Sequence, residues 1–251
     1  MTGSLAIDPD DARRRGRRRL WRLVLAVLLV AVLGGLAAAA YYSPLMSVRS
    51  VEVDGTRAVP QDEVLAVAAV PQGRPLLQVD TGAIADRVVR IRGVETARVD
   101  RSYPSTVSIT VTERKPLAVV ERSGKFGVMD RFGVVYAEFS SMDELRKDPR
   151  SGRTFAALPR LEVPTPGPKD PTTHAVLSVI AALPQWLASQ TATVTASTPS
   201  DIALHLKSGR TVIWGDDERS ADKAEAAAAL LKRFDAKKIN VASPDFPAVG
   251  G

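Results

Sequence analysis

The chain has 251 residues, of which 45% are apolar and 25% charged, with a formal net charge of +6 and no cysteine. That length allows one large domain or two small ones, and the composition excludes a disordered chain, a disulfide scaffold, thiolate metal clusters and a cysteine nucleophile. Only two histidines are present, His174 and His205, so a histidine-rich zinc site is nearly excluded as well.

The excess of positive charge lies in the first 22 residues. These hold seven arginines and three aspartates, a net charge of +4, so only +2 belongs to the rest of the chain. A nearly neutral body disfavours a DNA-binding fold, and no nucleic-acid partner is predicted. We interpret residues 1–22 as a basic cytoplasmic tail.

Residues 23–42 predict a single transmembrane helix. The 18 residues 23–40 contain no charge, and at about 1.5 Å per residue they match a bilayer core of about 30 Å. Basic and aromatic flanks suit the two membrane interfaces, and the arginines place the N-terminus in the cytoplasm. The flanking residues are Arg17, Arg18, Arg19, Trp21, Arg22, Tyr41 and Tyr42. The alternative is a cleaved signal peptide, because 38–40 resembles a cleavage site, although the apolar stretch is longer than usual for such a signal.

Residues 48–115 predict a small domain with the element order β-α-α-β-β. A strand and turn precede two helices, the second of which has Asp80 as a candidate N-cap. The last strand alternates, with Val107, Ile109 and Val111 on one face and hydroxyl side chains on the other. We expect the two helices to cover one face of a three-stranded sheet.

Residues 117–251 predict a second, mixed α+β domain with a mainly antiparallel sheet. Short strands separated by hairpin turns open it, and a helix over 220–236 has Ser220 as a candidate N-cap. The loose stretch 148–171, rich in proline, glycine and charge, leaves open how the middle of the domain pairs. A short strand over 239–243 closes it. The predicted fold class is therefore α+β after an N-terminal transmembrane helix.

No catalytic, cofactor or metal site is predicted. His205 alternates with apolar residues, which indicates a solvent-facing strand residue rather than the base of a Ser-His-Asp triad, and His174 is a surface residue at a helix start. Asp216, Asp217 and Glu218 precede a helix, where anions stabilise the dipole, so they favour a cap over a metal site or a glycosidase pair. No glycine-rich phosphate motif is present. We predict no enzyme and no small-molecule substrate.

A series of motifs resembles the FtsQ/DivIB family of bacterial cell-division proteins. The motifs lie at 51–55, 75–77, 99–104, 113–116, 128–135, 158–159, 204–215 and 239–241. The resemblance implies a POTRA domain over 48–115 and an FtsQ/DivIB-type C-terminal β domain over 117–251. It also implies a non-enzymatic, single-pass scaffold of the divisome, located in the cytoplasmic membrane at the septum with its bulk outside. FtsB/DivIC-type and FtsL-type division proteins are the implied partners, in support of septal peptidoglycan synthesis.

The C-terminal strand is the predicted partner site. Pro244 and Pro247 stop it, and a strand added last favours a sheet edge, whose free N–H and C=O groups can pair with another chain. The predicted contact residues are Ile239, Asn240, Val241, Ala242, Ser243, Phe246 and Val249. The resemblance points to the same segment, because the family holds its FtsB/DivIC-type partner near this strand. The alternative is that 239–243 is core and the following residues are frayed.

Two other functions remain open at this point. A membrane-anchored cell-wall hydrolase needs a nucleophile with a base, and the residues supply none. A POTRA-bearing secretion component would continue into alternating membrane strands of about 10 residues, which the sequence does not contain.

Overall fold

The structure is a computed structural model that describes residues 9–42 and 46–250, without the side chains of 9–20, 36–38, 40 and 42. Its first element is helix α1, Pro9–Tyr42. The large apolar side chains from Leu23 to Leu33 are 48–69% exposed. Within the described part of the chain, no helix has the length and apolar character that crossing a membrane requires. The predicted span and its flanks include side chains outside the described residues, namely those of 36–38, 40, Arg17, Arg18, Arg19 and Tyr42.

The packing of the backbone divides the chain into two compact units. The first unit combines the residues up to Asp54 with 64–88 and 98–110, and the second combines 55–63, 89–97 and the residues from 111 onward. Each unit is therefore built from separate stretches of the sequence.

The N-terminal half of the fold is a three-stranded sheet with two helices. The elements are β1 (Ser50–Asp54), α2 (Gln61–Ala68), a one-turn 3-10 helix (Leu76–Gln78), α3 (Thr81–Val88), β2 (Val94–Ser102) and β3 (Thr106–Glu113). This confirms the predicted order β-α-α-β-β. Asp80 caps α3, because its carboxylate accepts a hydrogen bond of 3.0 Å from the Ala83 N–H. The strand order is β1-β3-β2, so β3 is central, and β1 runs parallel to it.

The alternation along β3 decides which side chains are buried. Val107 and Ile109 are completely buried and Val111 is 3% exposed, whereas Thr110 faces solvent. In the parallel pair with β1, Ile109 lies beside Val53 and Thr110 beside Asp54. The predicted assignment of the two faces of β3 is therefore correct.

The C-terminal half of the fold contains a nine-stranded sheet. Its strands are β4 (Pro116–Arg122), β5 (Lys125–Asp130), β6 (Val135–Phe139), β7 (Arg160–Glu162), β8 (Thr191–Thr195), β9 (Ile202–Leu206), β10 (Thr211–Gly215), β11 (Lys238–Asn240) and β12 (Ala248–Gly250). The order across the sheet is β12-β11-β10-β9-β8-β7-β4-β5-β6. Five neighbouring pairs are antiparallel and three are parallel, so the sheet is mixed.

Helices cover both faces of this sheet. They are α4 (Met142–Lys147), α5 (Gly152–Ala157), α6 (Pro171–Ala182), α7 (Gln185–Ala188) and α8 (Ser220–Arg233). Ala118 and Val120 belong to the large core with α6 and α8, whereas Val119 packs with Leu145 and Phe155 of α4 and α5. Since successive side chains of a strand point to opposite faces, the two clusters lie on opposite sides of β4.

Strand β7 shows how the loose stretch 148–171 pairs with the rest of the domain. Its three residues lie between β4 and β8 and run parallel to both, after the short helix α5. Only Leu161 of the strand is fully buried. A strand this short is stabilised by neighbours on both sides rather than by its own residues, so the pattern of the sequence does not reveal it.

Two carboxylates of the second unit are held by several donors each. Asp130 is completely buried, forms an ion pair with Arg114, and accepts hydrogen bonds from the N–H groups of Phe132 at 2.9 Å and Val134 at 3.0 Å. Glu113 accepts from three successive backbone N–H groups over 57–59, with shortest distances of 2.7 to 2.9 Å. These bonds fix the hairpin after β5 and the loop before α2 to the last residue of β3 and the residue after it.

Candidate functional site

The predicted C-terminal strand is not an edge of the sheet. Strand β11 lies between β10, to which it is parallel, and β12, to which it is antiparallel. Ile239 is completely buried between Val212 and Val249 in the two registers. Val241 is also buried, and its N–H donates to the carbonyl of Ile213 at 2.9 Å. Ile239 and Val241 are therefore core residues, and the predicted position of their strand at the edge is wrong, whereas contact of this segment with a partner stays a prediction.

The edge is the strand that follows, β12. It stands last in the strand order, all three of its residues are exposed, and its outer side has no strand neighbour in the part of the chain that the structure describes. Phe246, just before it, is 85% exposed, and Val249 within it is 44% exposed. The free edge thus lies at 248–250, a few residues later than predicted, while the predicted residues Phe246 and Val249 lie just before it and within it.

The end of β11 and the turn before β12 contain the other predicted contact residues. Asn240 is exposed, and its side-chain oxygen accepts a hydrogen bond of 2.9 Å from the Ala242 N–H. Ser243 is exposed, and its carbonyl accepts from the Phe246 N–H at 3.0 Å. These bonds reverse the chain. Gly215 passes close by with φ of +82°, and a Cβ there would lie 2.9 Å from the Cβ of Ala242, so this approach requires glycine.

An ion pair fastens this turn to the start of helix α8. Arg219 donates to both carboxylate oxygens of Asp245, at 2.7 and 2.9 Å, and to Asp222 at 2.8 Å. The hydrogen bonds from Arg219 hold the pKa of Asp245 below its usual value. Arg219 has a left-handed backbone, φ 49°, and precedes the helix, so Ser220 is its first residue and not the predicted N-cap. Sequence spacing gave no sign of this pair, because 26 residues separate its members.

A second ion pair explains the carboxylates that precede α8. Lys223 is 1% exposed, and its ammonium group donates to the carboxylate of Asp216 and, at 3.0 Å, to the Asp216 carbonyl. This contact lowers the pKa of Asp216. The predicted cap by these carboxylates is therefore wrong as a hydrogen bond, because Arg219 occupies the N-cap position without a side-chain capping bond. Asp216 binds Lys223 and the Glu218 N–H instead.

Both histidines make hydrogen bonds that hold the fold. His205 is half-buried between the hydroxyl groups of Thr195, at 3.0 Å, and Thr211, at 3.2 Å, on the neighbouring strands. His174 is exposed, and its Nε2 lies 2.8 Å from the carbonyl of Pro168. Within the described residues, no group of three or more histidines and carboxylates is arranged to hold a metal ion.

Comparison with known proteins gives two family matches. Residues 46–114 match the POTRA domain of the FtsQ type, and residues 118–245 match the C-terminal domain of cell division protein FtsQ/DivIB. Cell division protein FtsQ of Mycolicibacterium smegmatis is 42% identical over 97% of this chain and 69% of the relative. The protein of the same name from Streptomyces collinus is 37% identical over 97% of this chain and 93% of the relative.

The chain is also similar to a solved structure, the major extracytoplasmic domain of the cell-division protein DivIB from Geobacillus stearothermophilus. The similarity covers 49% of this chain and 98% of that chain, with a TM-score of 0.33 and 16% identity.

Proposed function

Because the chain belongs to the FtsQ/DivIB family of cell-division proteins, we propose that it is a non-enzymatic scaffold of the divisome that supports septum formation and septal peptidoglycan synthesis. The observation that carries the proposal is the pair of family matches, in this order, together with relatives named cell division protein FtsQ along nearly the whole chain. Within this proposal the POTRA domain extends over 48–115 and the C-terminal β domain over 117–251.

The scaffold is proposed to be anchored through residues 23–42, with its N-terminus in the cytoplasm and its bulk outside. The uncharged run 23–40 and the arginines before it support this topology. Trp21 and Tyr41, which are 64% and 41% exposed, suit the two membrane interfaces.

The topology has a direct test. An enzymatic reporter fused after residue 251 should be active only outside the cytoplasm, and a tag placed before Arg13 should resist protease added to intact spheroplasts. Recovery of a soluble protein that starts near Tyr41 would contradict the anchor and favour a cleaved signal peptide.

The proposed partners are FtsB/DivIC-type and FtsL-type division proteins, and the proposed docking element is strand β12. Its exposed outer side offers backbone groups for strand addition, in which main-chain hydrogen bonds provide affinity and alternate side chains provide specificity. Phe246 adds an exposed apolar side chain that a partner can cover. The ion pair between Arg219 and Asp245 holds the turn that presents both features.

Two substitutions test this docking element. Replacing Phe246 by Ala should weaken binding to the extracytoplasmic domain of the FtsB/DivIC-type protein from the same genome at least tenfold, about 1.4 kcal/mol. Val249→Lys should weaken it similarly, because a lysine on an edge strand opposes pairing. Binding is measured by calorimetry with the full chain in detergent.

Phe132→Ala is the matched control, since Phe132 is another exposed phenylalanine, 45% exposed, in the hairpin after β5. It should change the affinity less than twofold. Truncation before Pro244 is a poor alternative, because it also removes β12 from β11 and Asp245 from Arg219. Unchanged binding by both edge variants would place the interface elsewhere, and the POTRA surface would be examined next.

A further inference from the structure

A groove on the second unit lies at the C-terminal end of helix α8. It has a volume of about 840 Å³, and we call it the basic groove. Its lining includes Trp186, Leu206, Arg210, Leu231, Lys232 and Lys237. Its floor is apolar: Leu206 is 4% exposed, Leu231 is half-buried, and Trp186 presents 38% of its surface. The groove therefore offers an apolar floor with cations beside it.

Positive charge is concentrated around this groove. Three of its lining residues are cations and one, Asp235, is a carboxylate. Lys207, Arg233 and Lys238 are immediate chain neighbours of lining residues. These seven residues together carry +5, whereas all the residues after the basic tail carry only +2. The rest of the body is thus slightly acidic, and an anionic ligand is attracted to this surface in particular.

The cations of the groove have different roles. Arg210 donates to the carbonyls of Leu231, Phe234 and Ala236 at 3.0, 2.7 and 3.1 Å, which satisfies the negative end of helix α8. Lys232 and Lys237 are exposed, and the structure gives their ammonium groups no hydrogen-bond or ion-pair partner among the described residues. Arg210 therefore shapes the groove, and the two lysines are available to a ligand.

The groove is continuous with the proposed docking edge. Lys237 directly precedes β11, and Lys238 lies beside Gly250 at the end of β12. A strand added to β12 would lie about 10 Å from β11, a distance that about three extended residues cover. The segment that flanks an added partner strand therefore reaches the basic groove.

We propose that the basic groove binds an acidic segment of the same partner protein that adds a strand to β12, through Lys232 and Lys237, with an apolar side chain of that segment on Trp186 and Leu206. This inference rests on the proposed function. An acidic polypeptide uses both the cations and the floor, whereas an anionic polymer of phosphodiesters uses only the cations. The segment gives the edge a second attachment point and restricts the partner to proteins with acidic residues beside the added strand.

The test compares two double charge reversals in the full chain in detergent. The variant K232E/K237E should bind the extracytoplasmic domain of the FtsB/DivIC-type protein at least tenfold more weakly than the wild type in 50 mM salt. The control K125E/K147E changes the net charge equally at two exposed lysines outside the groove, and it should remain within twofold. Salt of 300 mM should weaken the wild type several-fold and leave K232E/K237E nearly unaffected. Trp186→Ala should cost three- to fivefold.

The outcomes separate this inference from the function on which it rests. If the wild type does not bind this domain at all, the proposed partner is wrong, and the groove assignment is wrong with it. If the wild type binds and K232E/K237E binds equally well, the edge proposal stands and only the groove assignment is wrong. If polyphosphate binds through the two lysines as tightly as the partner domain does, and Trp186→Ala has no effect, the groove serves an anionic polymer and the peptide assignment is overturned.

Discussion

Replacing Ile109 by Asp is expected to unfold the three-stranded sheet around β3, at a cost of more than about 4 kcal/mol. Ile109 is completely buried in the central strand, beside Val53 of β1, so the new carboxylate has neither water nor a charged partner. A module of this size has a small free energy of unfolding, because a short chain buries a smaller fraction of its surface on folding than a long chain does. Hydrogen exchange read by mass spectrometry should show that peptides from β1 and β3 lose protection.

Thr110→Asp is the matched control, because it introduces the same side chain one residue later. Thr110 faces solvent, so the carboxylate stays hydrated. Its neighbour across the pair is Asp54. Repulsion between the two carboxylates is therefore the main cost, and we expect it to be about 1 kcal/mol. Similar losses of protection in the two variants would contradict the face assignment of β3.

Asp130→Ala is expected to destabilise the second unit by about 3–5 kcal/mol. The substitution leaves Arg114, whose side chain is 16% exposed, without its buried carboxylate. It also leaves the N–H groups of Phe132 and Val134 without an acceptor for these bonds, and each unsatisfied group adds a desolvation cost. Urea unfolding of the full chain in detergent, followed by circular dichroism, measures the change.

An exposed ion pair of the same chain provides the comparison. Asp100 pairs with Arg98 at 2.8 Å, and the two side chains are 51% and 80% exposed. Since water and salt screen this pair, Asp100→Ala should cost about 1 kcal/mol or less. If Asp130→Ala costs no more than Asp100→Ala, burial does not determine the strength of the Arg114 contact.

Local patterns predicted the elements whose burial follows a simple period. The alternation of β3 and the Asp80 cap of α3 depend on residues within a few positions of one another, so the sequence was sufficient for both. Strand β7 and the pairing of β11 with β12 depend on neighbours far away in the chain. Three residues carry too little pattern to reveal β7 or β12, so the sequence predicts the strand over 239–243 but not its partner.

The candidate site shows the same division. Phe246 and Val249 are predicted as partner contacts because they are apolar residues just beyond a strand that prolines stop, and both are exposed in the structure. The predicted edge lies one strand too early, because the return of the chain as β12 makes the strand of Ile239 and Val241 an interior strand. The Arg219–Asp245 pair joins residues from different elements, and no periodicity marks such a pair.

Strand β7 has a mechanical consequence for the nine-stranded sheet. It pairs with β4 through two residues and with β8 through three, and on either side the strands come from separate stretches of the chain, 116–139 and 191–250. Tension applied at β12 by a bound partner passes from strand to strand and reaches β4 through this short link. Under load the sheet is expected to separate first between β7 and β4, where only two residues pair. Arg160–Glu162 is then the weakest connection between the edge at β12 and strands β4 to β6.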